Sequence, residues 1–499
     1  MKALKQKIYT SIKFLFFSIL LLCSCKKFIE VPPPVKIISS ENVFANDQTA
    51  ISVLNGLYAD LGQGYNRSGY FAGNFGLSLV LGSASDELTL YNSLADYAAY
   101  YTNTLSAQGF GKEYWPVLYN FIFRCNAVLE GLNDPSAEAL TPSIREQLQG
   151  EAKFMRAFFY FYLVNLYGDL PIVLTTDYKV STLLSQSSRE KVYEQIIIDL
   201  KDAKELLATH YPDASLLKSG SERVRLTQWA AHALLARVYL YIGYFMDAEL
   251  EAGAIIDHTA LFNLQALNAT FLKNSREAIW QVQPTNAFFN TDDARVFVIP
   301  SYGPSSDGSN PVSISPQLLG SFETGDLRKK IGNWIGEVTA AGTTYYYPYK
   351  YKDNLLKSNI TAATGTVNMT EYQMMLRLGE QYLIRGEARA RQSKMSGAIA
   401  DLDKIRDRAG LPLIANTNPG ISQADLIKKI LHERQVELFT EIGQRWFDLK
   451  RTGTIDEVMD VVTPLKSNGI GEWHSHQQLF PLPQGDLNKA PNLRQNAGY

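Results

Sequence analysis

One stretch restricts the fold of this chain more than any other: residues 151–173, EAKFMRAFFYFYLVNLYGDLPIV. Met155, Phe158, Phe159, Tyr162, Leu163 and Leu166 recur at helical spacing and define one apolar face. Phe154, Ala157, Phe161 and Val164 fill much of the other side, so the helix is apolar nearly all round. A helix of that kind in a water-soluble body must be buried by neighbours on two faces. Gly168 supplies a C-terminal cap residue, and Pro171 stops the helix from resuming. The spacing predicts a central helix in a helical stack, with the chemistry elsewhere.

Other segments supply that stack. Trp115, Leu118, Tyr119, Ile122, Cys125, Val128 and Leu129 form a stripe in residues 113–132, and a second helix is predicted over 191–208. Residues 227–243 and 245–256 meet at YIGYFMDAE, a tight glycine-containing connection. Small Ala233, Ala236 and Ala248 sit where such helices would cross, as in a tetratricopeptide pair. A similar pair recurs at 375–391 and 396–409. Residues 426–452 read as one long helix, along which Arg434 and Glu437, and Glu441 and Arg445, are spaced to form ion pairs. Two loop-rich stretches interrupt the helices, at about 62–111 and 261–369. The second holds strand-like or loop-rich pieces at 278–283, 295–300 and 344–352, and a segment, 303–311, that reads only as loop.

The N-terminus carries an address. Lys2, Lys5, Lys7 and Lys13 precede a short apolar run, Phe14 to Leu22, and Leu22-Cys23-Ser24-Cys25 resembles a bacterial lipobox. The expected organisation is a signal peptide over 1–24 and a lipid-bearing Cys25. A Pro-rich tether follows over 25–34, then a single domain over 35–499. Cys23 would leave with the signal and Cys25 would carry lipid, so Cys125 has no disulfide partner and stability must come from burial. With 46% hydrophobic residues among 499, there is ample material for a large core. The net charge of -2 and the lack of long runs of one sign argue against a nucleic-acid surface.

Several ordered motifs resemble the SusD/RagB family of lipid-anchored nutrient-binding proteins. They are E-x-x-F-x-R-A-x-x-Y-F-x-L-V-x-x-Y-G-D-x-P at 151–171, ALLARVYLYIG at 233–243, Ser315-Pro316 ahead of Phe322, and Asp326 with Arg328. LRLGEQYLIRGEARAR at 376–391, LDKIRDRAGLP at 402–412, ERQVELFTEIGQRWFDLKRTG at 433–453 and the ending PNLRQNAGY complete the set. The resemblance implies a mostly α fold, in which four tetratricopeptide-like helix pairs form a curved scaffold carrying loop-rich insertions. It implies a protein on the outer face of the outer membrane that binds an oligosaccharide and passes it to a SusC-like, TonB-dependent transporter. Lys26 and Lys27 depart from the acidic residues that often follow the lipidated cysteine in surface-exported relatives.

A sugar site needs flat aromatic faces and side chains that hydrogen-bond hydroxyls, carried on loops over a rigid scaffold. Residues 65–71 and 86–101 fit, and Phe288, Phe289, Arg295, Tyr302 and Trp334 add to them. The candidates chosen are Tyr65, Tyr70, Tyr91, Asn92 and Tyr302. Arg156, Glu387, Glu433, Arg434, Arg445 and Asp448 read as structural ion pairs within apolar helices. No catalytic residue, metal or cofactor is assigned. His474 and His476 have no evident third ligand, and Cys125 reads as a buried thiol. The adjacent carboxylates Asp86-Glu87 and Asp292-Asp293 do not recommend glycosidase chemistry. The rival readings are a protein-binding repeat scaffold and a lipid-anchored glycoside hydrolase.

Overall fold

The computed structural model describes residues 43–62, 71–73, 76–91, 94–285, 290–354, 369–467 and 471–499. The signal segment, the tether, Cys25, Tyr65, Tyr70, Asn92, Phe288 and Phe289 lie outside them. The described chain opens with α1 (Asp47–Leu61), α2 (Leu77–Ala84), β1 (Leu88–Leu90) and α3 (Ala95–Tyr101). A run of helices follows: α4 (Tyr114–Leu132), α5 (Pro142–Tyr167), α6 (Tyr178–Ser181), α7 (Arg189–Leu206), α8 (Gln228–Tyr241) and α9 (Phe245–Ile256). The second interruption contributes β2 (Ala278–Val282), α10 (Asp292–Phe297), β3 (Val312–Ile314), α11 (Pro316–Ser321), β4 (Ile335–Ala340), β5 (Thr343–Pro348) and β6 (Gln373–Arg377). The chain closes with α12 (Leu378–Arg391), α13 (Met395–Arg408), α14 (Ile414–Thr417), α15 (Gln423–Glu437), α16 (Gln444–Thr452), α17 (Ile455–Lys466) and α18 (Gln484–Leu487). The fold is mostly α, as expected.

The apolar-all-round helix is α5. Pro142 sits in its first turn and Gly168 ends it at φ +80°. Of residues 151–168 only Lys153 escapes full burial. α4 packs on one side of α5 and α7 on the other. Phe159 stacks on Phe121 of α4 at 4.6 Å, and Phe154 and Phe158 both set their edges to Trp280 of β2. The polar groups within α5 are paired: Arg156 makes two bonds to Asp199 of α7, at 2.8 and 2.6 Å, and Glu151 accepts from Arg225 at 2.7 Å. The pairs α8–α9 and α12–α13 form as predicted and continue the stack through packing of α9 on α12.

Two helix expectations are corrected. The helix predicted from 375 begins at Leu378, because residues 373–377 form β6 and pair antiparallel with β2. The single helix expected over 426–452 is two helices, broken at 438–443. Thr440 (φ +52°), Ile442 (φ +48°) and Gly443 (φ +76°) are left-handed, and a Cβ on Gly443 would lie 2.2 Å from Leu81 of α2. The reason for the break is what it feeds. Lys350 Nζ donates to the carbonyls of Glu437 and Phe439 at 2.8 Å each, and Arg377 donates to the Glu437 carbonyl at 3.0 Å. Cations thus satisfy carbonyls that a continuous helix would have used internally.

The ion pairs expected along that helix are replaced by tertiary ones. Glu437 meets Arg328 at 3.0 Å, Arg377 at 2.7 Å, and Arg408, while Glu441 meets Arg377 and Lys350. Arg434 pairs with Asp448 at 2.7 Å, and Arg445 with Asp86 at 2.7 Å. Arg328 also pairs with Asp326 and Glu433, and Glu387 with Arg451. Burial opposes the charge on Glu437, yet Arg408, Arg377 and Arg328 outweigh it and hold its carboxyl well below the usual range. Burial likewise opposes Glu441 and Asp448, whose arginine partners still lower both.

Because these carboxyls ionise more readily when folded, their contribution is complete above about pH 4.5 and is lost as pH falls below it. Chemical denaturation should show stability falling from pH 6 to pH 3. At pH 7, Glu437→Gln should cost about 3–5 kcal/mol by leaving buried arginines short of an anion.

Candidate tyrosine-ribbon site

The two interruptions meet on one side of the stack. β1 pairs antiparallel with β3, Leu88 opposite Ile314 and Leu90 opposite Val312, and the Tyr91 N–H extends the ladder to the Pro311 carbonyl at 2.8 Å. β5 packs beside β3 and pairs with β4 through a two-residue turn, Ala341-Gly342, with φ of +48° and +80°. Alternation along β5 sends Tyr346 toward the core beneath it, while Tyr345 sets its ring edge-on to Tyr91 at 5.3 Å. Tyr91 also shares a 3.2 Å hydrogen bond with Ser313 Oγ and remains 42% exposed.

Tyr302 stands on the neighbouring loop and is 73% exposed. Its successor Gly303, at φ +96°, lies so near β4 and β5 that a Cβ there would touch Ala340 and Tyr345. The loop is pinned from behind, because Asn310 Nδ2 donates to the Arg295, Val296 and Val298 carbonyls at the end of α10. The structure therefore brings two of the chosen residues, Tyr91 and Tyr302, to the same ribbon edge. It adds Tyr345, which the sequence reading placed in a strand-like piece without assigning it a role. The period-two pattern of TTYYYP was the available signal, but nothing local says which tyrosine faces outward.

Below the ribbon lies charge. Asp86 accepts two bonds from Arg445, at 2.8 and 2.7 Å, and Glu87 accepts from the Thr440 N–H at 3.3 Å. Burial, with Asp86 beside it, pushes the Glu87 carboxyl up to about 8. Lys466 donates to the Ser83 and Ala84 carbonyls at 2.6 and 2.8 Å and lies 5.0 Å over the Tyr101 ring. Burial pushes its ammonium down to about 7.

Other proposed surface groups are placed elsewhere. Trp334 is fully buried, donating to the Leu267 carbonyl at 2.9 Å beneath Lys350, so it is a core residue and not a sugar platform. Arg295, expected in a strand-like or loop piece, lies on α10 and pairs with Asp292 at 2.9 Å. Tyr97 and Tyr100 of the 86–101 segment are buried. His474 and His476 stack on each other at 5.8 Å beside Tyr499. Cys125 is buried, and its thiol is pushed up to about 12 by that burial.

A family profile described as "SusD family" matches residues 332–499, and one described as "Starch-binding associating with outer membrane" matches residues 28–240. The chain belongs to the SusD/RagB family. A SusD-like protein of Formosa agariphila is 25% identical over 510 residues, covering 93% of this chain and 95% of its own. A SusD superfamily protein of Bacteroides vulgatus superimposes with a TM-score of 0.75 at 21% identity, covering 91% of this chain and all of that one. A solved laminarin-binding SusD-like protein gives a TM-score of 0.70 at 22% identity, with 91% of this chain and 100% of that one covered. These likenesses establish the SusD fold, and the tyrosine ribbon is a feature read from this chain's own residues.

Glu87 ionises less readily folded than unfolded. The stability it confers is therefore complete below about pH 4.5 and is lost as pH rises toward 8. Guanidinium unfolding of Glu87→Gln should show a smaller loss of stability between pH 5 and pH 8 than the parent shows.

Proposed function

We propose that this SusD-family chain is a non-enzymatic, lipid-anchored protein of the outer membrane, facing the exterior. In this reading it binds an oligosaccharide on the tyrosine ribbon and delivers it to a TonB-dependent, SusC-like transporter. The observation that carries the reading is the gathering of Tyr91, Tyr302 and Tyr345 at one ribbon edge whose backbone is tied to the helical scaffold. Tyrosine rings offer apolar faces to the C–H faces of pyranose rings, and their hydroxyls reach sugar hydroxyls. Exposed Thr343 and Thr344 lie next to Tyr345 and add hydrogen-bonding groups. Tyr65, Tyr70 and Asn92 stand as further candidates on the sequence argument alone.

The laminarin-binding relative and the starch-binding family description support a carbohydrate ligand. Burial of Asp86 and Glu87, and their engagement with Arg445 and Thr440, weigh against a hydrolase centred on this ribbon. Exposed Tyr244, Met246 and Leu250, on and beside α9, offer an apolar face for a protein partner such as the transporter. The lipobox ending at Cys25 supports the anchor.

Isothermal titration of the soluble body against laminarin, starch and other glycans tests the binding. Tyr91→Ala and Tyr345→Ala should each weaken the best ligand about three- to tenfold, and full affinity in a Tyr91/Tyr302/Tyr345 triple-alanine variant rejects the site. Mass spectrometry of the membrane-extracted chain should find an acylated Cys25 at its N-terminus, and Cys25→Ala should release the body from the membrane.

A further inference from the structure

A cleft of about 640 Å³ opens where the end of α5, the first turn of α7, α16 and the last segment of the chain meet. Three cationic side chains line it, Arg189, Lys450 and Arg494, together with the carboxylates Asp169 and Glu190. Both carboxylates are already engaged at the start of α7. Asp169 Oδ1 accepts from the Arg189 N–H at 2.9 Å, while the Glu190 backbone N–H and Ser188 hold the Glu190 carboxyl below its usual range. The cations are not engaged in that way. Among the described residues none of the three forms an ion pair. Arg189 lies 5.5 Å over the Tyr193 ring, and Lys450 Nζ donates to the Asn165 carbonyl, which leaves its other N–H groups unspent.

The amides of the wall look inward. Asn496 Nδ2 donates to the Tyr167 and Phe480 carbonyls at 2.9 Å each, and Gln186 Nε2 donates to the Asp169 carbonyl at 3.2 Å. They hold the wall in shape, and the cations are left to meet whatever enters. Burial, with the Arg189 charge nearby, pushes the Lys450 ammonium down to about 7, so an incoming anion would also restore its proton.

We propose that this cleft binds an oxyanion, a carboxylate or sulfate carried by a small polar ligand such as an acidic sugar, through Lys450, Arg494 and Arg189. It shares no lining residue with the tyrosine ribbon, so it is a second site whose fate does not depend on the ribbon's. Charge-assisted bonds from guanidinium and ammonium suit that ligand, and a neutral sugar would leave the cations as they are.

Isothermal titration of the purified protein with sodium sulfate, galacturonate and neutral galactose, against sodium chloride of matched ionic strength, tests the proposal. Sulfate or galacturonate should bind with a Kd of about a millimolar, and galactose and chloride should not. Binding by one oxyanion alone identifies its source as sulfate or carboxylate and upholds the site. Arg189 and Glu190 of α7, Asp169 after α5 and Arg494 on the last segment line the cleft with Lys450, whose ammonium burial pushes down to about 7. Affinity should therefore fall from pH 6 to pH 8, with proton uptake on binding near pH 7.5. Arg494→Gln, on an exposed residue, should lose about tenfold in affinity. Lys450→Met, checked for folding by circular dichroism, should abolish the pH dependence. Equal responses to sulfate, galacturonate and chloride, or unchanged oxyanion affinity in a folded variant combining Arg494→Gln with Lys450→Met, overturn the proposal.

Discussion

The interaction on which the architecture depends is the buried ionic cluster around Glu437 and Arg377. It joins parts of the chain that lie far apart in sequence and meet around one apolar cluster. Arg377 ends β6, Arg408 ends α13, Glu277 precedes β2, Glu437 and Glu433 lie on α15, and Arg328 sits in the turn after α11. Above it Lys350 points its ammonium among Trp334, Phe271 and Phe439, within 5.5 Å of each ring centre. Removing several charges from water carries a large penalty, which mutual attraction repays only where every member has partners. Each of the three arginines here has at least two carboxylates, and that multiplicity makes the arrangement tolerable.

The break between α15 and α16 belongs to the same cluster, and it also sets the ribbon. Within nine residues the chain gives Glu437 to the arginines, the Thr440 N–H to Glu87, the Ile442 N–H to Ser78 and Arg445 to Asp86. The buried helix α2 and the start of β1 are thereby tied to the C-terminal helices as well as to their own neighbours in sequence. Tyr91 takes its position from this frame, and Tyr345 takes its own through Tyr91 and β3. The ribbon thus rests on buried ion pairs one layer down.

Legibility followed the range of the interaction. The faces of α5 could be read because Met155, Phe158, Tyr162 and Leu166 repeat within a single helix, whereas Ser315-Pro316 was legible only as part of a family motif and its capping role at the start of α11 emerges in the fold. There Ser315 accepts from the Leu318 N–H. The break at 438–443 was hidden because Leu438 and Phe439 continue an apolar pattern and Gly443 alone interrupts it. Its cause, Lys350 and Arg377 reaching for carbonyls, lies far off in sequence. Trp334 looked like a surface aromatic for the same reason, since the residues that bury it come from β6, α13 and the α15–α16 turn. Tyr91 and Tyr302 could be chosen as tyrosines in loops, but their proximity to Tyr345 exists only once β1 has paired with β3.

The span of the Asp86–Arg445 pair has a consequence for how the protein comes into being. Its two residues are 359 positions apart, and the ribbon strands are themselves joined across more than 200 residues. Contacts so distant form late, after the local helix pairs have condensed. A chain crossing a membrane from its N-terminus would therefore assemble its scaffold first and its ribbon last. A product truncated ahead of α16 would keep the stack through α13 and lack the frame that positions Tyr91. Completion of the chain and assembly of the ribbon thus arrive together.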